Sequence, residues 1–128
     1  MVTVQGNEVK GSYTIKGVFN GFHFPSSRDV IIKENLFNSQ STDDFQNLTQ
    51  IYVKSTGNVL IENNEIKNVQ LSNSTYRGVV VESAVNLTLR GNQFGTGQIA
   101  LASSEGKIID INAQNTLTPS IIFEKNTI

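Results

Sequence analysis

The sequence contains no cysteine and no tryptophan, and only one histidine among its 128 residues. Without cysteine the chain can form neither a disulfide nor a thiolate metal site. Charged residues make up 16% of the chain, ten basic against eleven acidic, and they occur without blocks. This balance argues against a nucleic-acid partner and against a basic membrane anchor. No apolar run approaches the about 18 residues of a membrane span, and the opening MVTVQGNEV lacks the apolar core of a signal peptide.

A polar residue instead recurs inside an apolar pattern. In NVLIENNEI, residues 58–66, Val59 and Ile61 alternate as in a strand, and Asn64 precedes Ile66. With Φ for a large apolar residue, the pattern Φ-x-Φ-x-x-N-x-Φ occurs repeatedly, and steps of 28, 29, 28 and 34 residues separate its asparagines. Such periods are typical of stacked repeat proteins. The asparagines are Asn7, Asn35, Asn64, Asn92 and Asn126.

A further alternating pair precedes three of these motifs by eight residues. The pairs are Phe22/Phe24, Ile51/Val53 and Val79/Val81, and the full units span 22–37, 51–66 and 79–94. Because period-two alternation marks strands with one buried face, each unit predicts three short strands. In the first complete unit these strands are 22–24, 30–32 and 35–37. We interpret the segments 10–21, 38–50 and 67–78 as variable connections.

A chain that places each strand over its counterpart one period earlier pairs the main-chain groups of neighbouring turns at about 4.8 Å. The repeat resembles the right-handed parallel β-helix superfamily, typified by pectate lyases and related polysaccharide-degrading enzymes. The resemblance implies an all-β, single-stranded parallel β-helix of about four to five rungs, forming one domain over residues 1–128. Leucine-rich repeats are the alternative, but the positions of their further leucine hold Ser27, Thr56, Ala84 and Thr118.

The resemblance also gives the five asparagines a role. They are expected to stack on one another at a sharp corner between two strands, because asparagine tolerates a left-handed backbone and its amide both donates and accepts. After Asn92 the period breaks down, and residues 95–120 are predicted to form an irregular rung. Neither end shows a covering amphipathic helix. We therefore expect a segment of a longer β-helix, with end-to-end self-association as the alternative.

The superfamily's strand order implies which sheet borders a substrate groove, namely the sheet formed by 22–24, 51–53, 79–81 and 99–101. Its outward positions would be His23, Tyr52, Val80 and Ala100, with Lys54 and Glu82 beside them. Tyr52 is a candidate for stacking on a sugar ring. Lys54 and Glu82 are candidate ligand contacts, although a simple cross-strand ion pair is the default interpretation. His23 stands without a second histidine or cysteine, so we predict no metal site there.

Two loops carry the remaining candidates. Tyr76 and Arg77 are predicted to end the connection 67–78 and to face an acidic sugar. Asp43 and Asp44, in STDDFQN, form an acidic pair that suits either a Ca²⁺ ion or acid and base groups at a glycosidic bond. Ca²⁺ is the one cofactor considered, and none is otherwise expected.

A local resemblance suggests a catalytic role for Lys54. IYVKSTGN, residues 51–58, is similar to the V-K-S-x-x-N segment of the polysaccharide lyase family that includes chondroitinase B and certain alginate lyases. In that family the lysine is the base at the sugar C5 and an arginine on the next turn assists. Glu82 stands at the arginine's place here, and the family's acidic calcium-binding segment is absent.

These observations favour a scaffold or binding module of a secreted or virion-surface protein that engages polysaccharide, as in glycosidases, lyases or phage tailspikes. A purely structural stalk or adhesin repeat is the alternative from another class. An active polysaccharide lyase or hydrolase is the third hypothesis.

Overall fold

The computed structural model describes residues 1–13, 18–42, 47–72, 75–102, 105–111 and 120–127. In these residues all regular structure is β, and no helix is long and apolar enough to cross a membrane. The strands are β1 (Val2–Gln5), β2 (Glu8–Tyr13), β3 (Val18–Ser27), β4 (Val30–Lys33), β5 (Leu36–Thr42), β6 (Asn47–Ser55), β7 (Asn58–Glu62), β8 (Glu65–Ser72), β9 (Thr75–Ser83), β10 (Asn86–Arg90), β11 (Gln93–Ala102), β12 (Glu105–Ile111) and β13 (Ser120–Glu124).

The strands form three parallel sheets, each built from every third strand along the chain. Sheet A contains β1, β4, β7, β10 and β13; sheet B contains β2, β5, β8 and β11; sheet C contains β3, β6, β9 and β12. In sheet A, Val30 pairs with Val59, and Val59 pairs with Leu87. The repeat of about 28 residues is therefore the step from one strand to its neighbour in a sheet. The prediction of an all-β fold made of parallel strands is confirmed.

The core is filled by the inward face of all three sheets. In β7, Val59 and Ile61 are buried and Leu60 between them faces outward, as strand alternation requires. Sheet B contributes Phe37 and sheet C contributes Ile51, both fully buried. On β13 the apolar alternation continues, but the inward residues Ile121 and Phe123 are 45% and 49% exposed. Their partners on β10, Leu87 and Leu89, are buried.

Asparagine side chains form a hydrogen-bonded column at the corner between sheets A and B. Asn64 Oδ1 accepts from the main-chain N and from Nδ2 of Asn35, and Asn92 Oδ1 accepts from the same two atoms of Asn64. Asn7 and Asn126 extend the column at either side. Asn35, Asn64 and Asn92 are at most 2% exposed, so these amides are not available to a ligand.

At this corner the residue before each asparagine adopts the left-handed backbone conformation. We expected the asparagine itself to adopt it, and that expectation is wrong. Positive φ values between 53° and 68° occur at Gly6, Glu34, Asn63, Gly91 and Lys125. The ladder asparagines themselves have no positive φ. Their amides instead bridge strands: Asn64 Nδ2, for example, also donates to the carbonyl of Ile32 at 2.9 Å. The asparagine is needed for its hydrogen bonds rather than for its backbone conformation.

The described residues of the segments interpreted as variable connections lie in strands, so the interpretation of these residues as connections was wrong. Pairs such as Gln40 with Val69, and Asn47 with Thr75, continue the ladders of sheets B and C well past the apolar motifs. These extensions are rich in Ser, Thr, Asn and Gln, so they satisfy main-chain groups without the apolar alternation on which the prediction depended.

Residues 99–101 lie in a different sheet from the one predicted. Ile99 pairs with Val69 in sheet B, whereas Ile109 pairs with Val79 in sheet C. The cause is β11, whose register shifts between Phe94 and Ile99 absorb the short GTGQ linker inside the strand. The outward position predicted for Ala100 in sheet C therefore belongs to Asp110, which pairs with Val80.

Candidate functional site

One row of side chains crosses the outer face of sheet C. His23 pairs with Tyr52, Tyr52 with Val80, and Val80 with Asp110. Because Ile51 and Val53 on either side of Tyr52 are fully buried, Tyr52 faces away from the core, whereas Val80 in the same row is only 9% exposed. The structure thus brings together three of the four outward residues predicted for this face, and replaces Ala100 by Asp110.

His23 and Tyr52 form an aromatic pair in this row. Their ring centroids are 4.9 Å apart and the ring planes meet at 63°, in an edge-to-face arrangement. Such pairs contribute about 0.5–1.5 kcal/mol beyond the area that they bury. His23 is exposed and Tyr52 is half-buried. The pair therefore presents an aromatic surface to the solvent, and the contact between the two rings keeps this surface in position.

Glu82 joins the aromatic pair to a charged group. The Tyr52 hydroxyl donates a hydrogen bond to Glu82 Oε2. Lys54 Nζ lies 3.2 Å from Glu82 Oε1, so the expected contact between Lys54 and Glu82 is present. A register shift after Val53 pairs Lys54 with Ser83 and leaves Glu82 as the additional residue of a bulge. Bulges re-aim side chains in this way.

The shared carboxylate changes the titration of both partners. The hydrogen bond to Glu82, with burial and the negative charge adding to it, raises the pKa of Tyr52 to about 12. Conversely, the hydrogen bond from Tyr52, and then that from Lys54, hold the pKa of Glu82 below its usual range. Glu82 is therefore an anion at neutral pH and Tyr52 a neutral donor. The hydrogen bond to Glu82 therefore fixes the Tyr52 hydroxyl.

Arg77 and Asp110 add a second charged pair on β9 and β12. Arg77 Nε lies 3.8 Å from Asp110 Oδ2, and the arginine side chain is 46% exposed. Arg77 belongs to strand β9 rather than to a loop, because Lys107 and Thr49 pair with it on either side. Asp110 was not predicted as an outward residue of sheet C. Its register could have been inferred, because Ile109 and Ile111 repeat the alternating pair Val79 and Val81.

The remaining candidates are separate from this cluster or outside the described residues. The main chain of Tyr76 pairs with Leu48 and Gly106 in sheet C, so it too lies in a strand, and its side chain is outside the description. Asp43 and Asp44 also lie outside the described residues. Within the described part of the chain, no group of three His, Cys, Asp or Glu side chains is placed to hold a metal ion.

Comparison of the chain with known protein families, with curated proteins and with solved structures finds no match.

Proposed function

We propose that the chain is a right-handed, single-stranded parallel β-helix of about four to five rungs, consistent with sheets of four and five strands. Three parallel sheets built from every third strand support this proposal, because each strand must return to its sheet by way of the other two. Connections between parallel strands of one sheet are right-handed in nearly all proteins, which supports the hand. Residues 1–128 form one domain of this kind.

We further propose that the outer face of sheet C binds polysaccharide, as a module of a secreted or virion-surface carbohydrate-active protein. The proposal rests on one observation. On the outer face of sheet C, the His23–Tyr52 aromatic pair lies beside one positively and one negatively charged side chain, both able to form hydrogen bonds. An aromatic ring provides an apolar surface for a sugar ring. Lys54 and Glu82 provide a donor and an acceptor for hydroxyl groups next to it.

Binding without catalysis fits this cluster better than the lyase chemistry suggested for Lys54. A lyase base must take a proton from the sugar, whereas the Lys54 ammonium lies 3.2 Å from a carboxylate oxygen of Glu82. The arginine of β9, Arg77, pairs instead with Asp110. We therefore assign Lys54 a binding role.

The proposal is tested by measuring binding of neutral and acidic glycans on an array, followed by titration calorimetry. Tyr52→Ala is expected to weaken the affinity about fivefold to tenfold, the equivalent of about 1–1.4 kcal/mol. Tyr52→Phe keeps the ring and should retain most of the affinity. Thr88→Ala, on the outer face of sheet A, is the control and should change nothing. Failure of the parent chain to bind any glycan would contradict the proposal and favour a structural stalk or adhesin repeat.

A further inference from the structure

A separate groove runs across the outer face of sheet A, and its volume is about 560 Å³. The floor takes one outward residue from each of four neighbouring strands, which the register aligns in a single row. The inward neighbours of these residues, such as Val59 and Ile61 on β7, belong to the buried core. The floor residues are Ile31, Leu60, Thr88 and Ile122.

The floor is mainly aliphatic, with Thr88 between Leu60 and Ile122, and it is open to solvent. Ile31 and Leu60 are half-buried, and Ile122 is 43% exposed. Among the residues that line the groove, all of which the structure describes, none is aromatic. Exposed apolar surface with polar edges is typical of interaction sites. Without an aromatic ring, this groove differs in chemistry from the face around Tyr52 and does not suit sugar stacking.

One edge of the groove is a hydrogen-bonded row of short polar side chains. Asp29 Oδ1 accepts from the main-chain N and from Nδ2 of Asn58, at 2.9 and 3.2 Å. Asn58 Oδ1 in turn accepts from Asn86 Nδ2 at 2.7 Å. These contacts span three levels of the stack, so this edge is fixed in place.

The opposite edge carries a paired arginine and a further carboxylate. Arg90 is neutralised by Glu62, whose Oε1 lies 2.7 Å from Nε and 2.6 Å from Nη2. Glu124 lies on the next strand along from Arg90. Neither Glu124 nor Asp29 forms an ion pair within the part of the chain that the structure describes. Asp29 and Glu124, which have no ion-pair partner among the described residues, therefore flank a mainly aliphatic floor.

The dimensions of the groove match an α-helix. Asn86 and Arg90 mark its edges and are four residues apart on β10, which corresponds to about 13 Å; a helix with its side chains is about 10–12 Å wide. Ile31 and Ile122 are three interstrand steps apart, about 14 Å, or roughly two and a half helical turns. Each step of about 4.8 Å is close to the helical pitch of about 5.4 Å, whereas same-face side chains of an extended peptide repeat at about 6.7 Å.

We propose that this groove binds an amphipathic, basic α-helix of a partner protein. Aliphatic residues of the helix would lie along Ile31, Leu60 and Ile122, as in other complexes of a helix with an apolar groove. Lysine or arginine residues flanking that stripe would approach Asp29 and Glu124. The site is independent of polysaccharide binding on sheet C.

Titration calorimetry with two synthetic helical peptides of leucine and lysine tests the proposal. The first peptide places its leucines at i, i+3, i+4 and i+7, and the second has the same composition in an order that spreads them around the helix. The ordered peptide is expected to bind at least about tenfold more tightly, because only it presents one apolar face. Equal binding of the two peptides, or no binding, would overturn the proposal.

Variants of the protein then locate the binding surface. Leu60→Thr copies the residue that β10 already carries at this row, and should weaken binding of the ordered peptide about fivefold to tenfold. Glu124→Gln should weaken it about twofold to fivefold and reduce its salt dependence. Tyr52→Ala on sheet C is the control and should leave peptide binding unchanged.

Three results would contradict the assignment of this surface. The first is a Leu60→Thr variant that keeps the parent's circular dichroism spectrum and its full affinity. The second is a Tyr52→Ala variant that loses peptide affinity to the same extent. The third is a parent chain that dimerises in sedimentation equilibrium, with the dimer abolished by Leu60→Thr, because the occupant would then be a second copy of this chain.

Discussion

Asn35 and Asn64 are 29 residues apart in the sequence and joined by two hydrogen bonds, both accepted by Asn64 Oδ1 at 3.0 Å. The donors are the main-chain N and the side-chain Nδ2 of Asn35. Asn64 Nδ2 donates in turn to Asn92 Oδ1 and to the Ile32 carbonyl. A single buried amide therefore ties together three levels of the stack.

Replacement of Asn64 by alanine is expected to lower the free energy of unfolding by about 1–3 kcal/mol. The substitution leaves the buried main-chain N of Asn35 and the Ile32 carbonyl without their partners. Urea denaturation followed by circular dichroism measures the change.

The matched control for this prediction is Asn86→Ala. Asn86 also bonds to an asparagine on the neighbouring strand, through Nδ2 to Asn58 Oδ1 at 2.7 Å, but it is exposed to water. Its removal should change the unfolding free energy by no more than about 0.5 kcal/mol. Equal losses for the two variants would contradict a special role for the buried column.

Gly57 is expected to tolerate no side chain. A Cβ at this position would overlap the main-chain O of Arg28 and Oδ1 of Asp29, and the backbone atom cannot move aside by a rotamer change. Gly57→Ala should therefore lower the unfolding free energy by about 1–3 kcal/mol, as overpacking does.

Val85 provides the comparison, because its main-chain N donates to the Gly57 carbonyl from the neighbouring strand level at 2.8 Å. Its side chain is 49% exposed. Val85→Ala should lie within about 0.5 kcal/mol of the parent. A stable Gly57→Ala protein would mean that the turn before β7 can shift away from Arg28.

The contact between Tyr52 and Glu82 predicts a loss of stability at alkaline pH. The pKa of Tyr52 is raised from 10.0 to about 12, so the contact's contribution is fully present below pH 10 and is lost as the pH rises through about 12. In Glu82→Gln the negative charge is lost and the hydrogen bond to a neutral amide is weaker, so the pKa of Tyr52 should move back towards 10.0.

Ultraviolet titration of tyrosinate measures this pKa. The chain has three tyrosines, so the Tyr52 curve is taken as the difference between each protein and its Tyr52→Phe counterpart. A Tyr52 titration unaffected by Glu82→Gln would show that the hydroxyl is not bonded to this carboxylate.

The all-β fold and the repeat were predictable because the inward residues are set by burial. Val59 and Ile61 must be apolar to fill the core, and Asn64 must be an amide to satisfy the corner, so both leave a periodic signal. The extensions of sheets B and C leave no such signal, since many side chains allow a main-chain ladder to continue. The shifts in β11 were invisible for the same reason, and they misplaced Ala100.

The outward face was harder to predict than the core. Tyr52, Lys54 and Glu82 were found because their strand was assigned correctly, and outward positions follow from alternation. The bond from the Tyr52 hydroxyl to Glu82 depends on a one-residue bulge, which no pattern in the sequence indicates. The groove on sheet A arises because some outward side chains extend further from the sheet than their neighbours. Apolar alternation does not predict how far a side chain extends.

Gln50 provides a final test of how the interior is packed. This residue, immediately before Ile51 in β6, is fully buried, yet within the part of the chain that the structure describes neither Oε1 nor Nε2 has a hydrogen-bond partner. A buried amide without partners costs about 1–3 kcal/mol, and replacing it by an apolar group of similar shape removes that penalty. Gln50→Met is therefore expected to raise the unfolding free energy by about 1 kcal/mol or more, measured by urea denaturation. Gln50→Glu, which buries a charge at the same place, should lower it. A destabilised Gln50→Met protein would mean that the amide is hydrogen-bonded in solution, and that its neighbourhood is more polar than the side chains of the core imply.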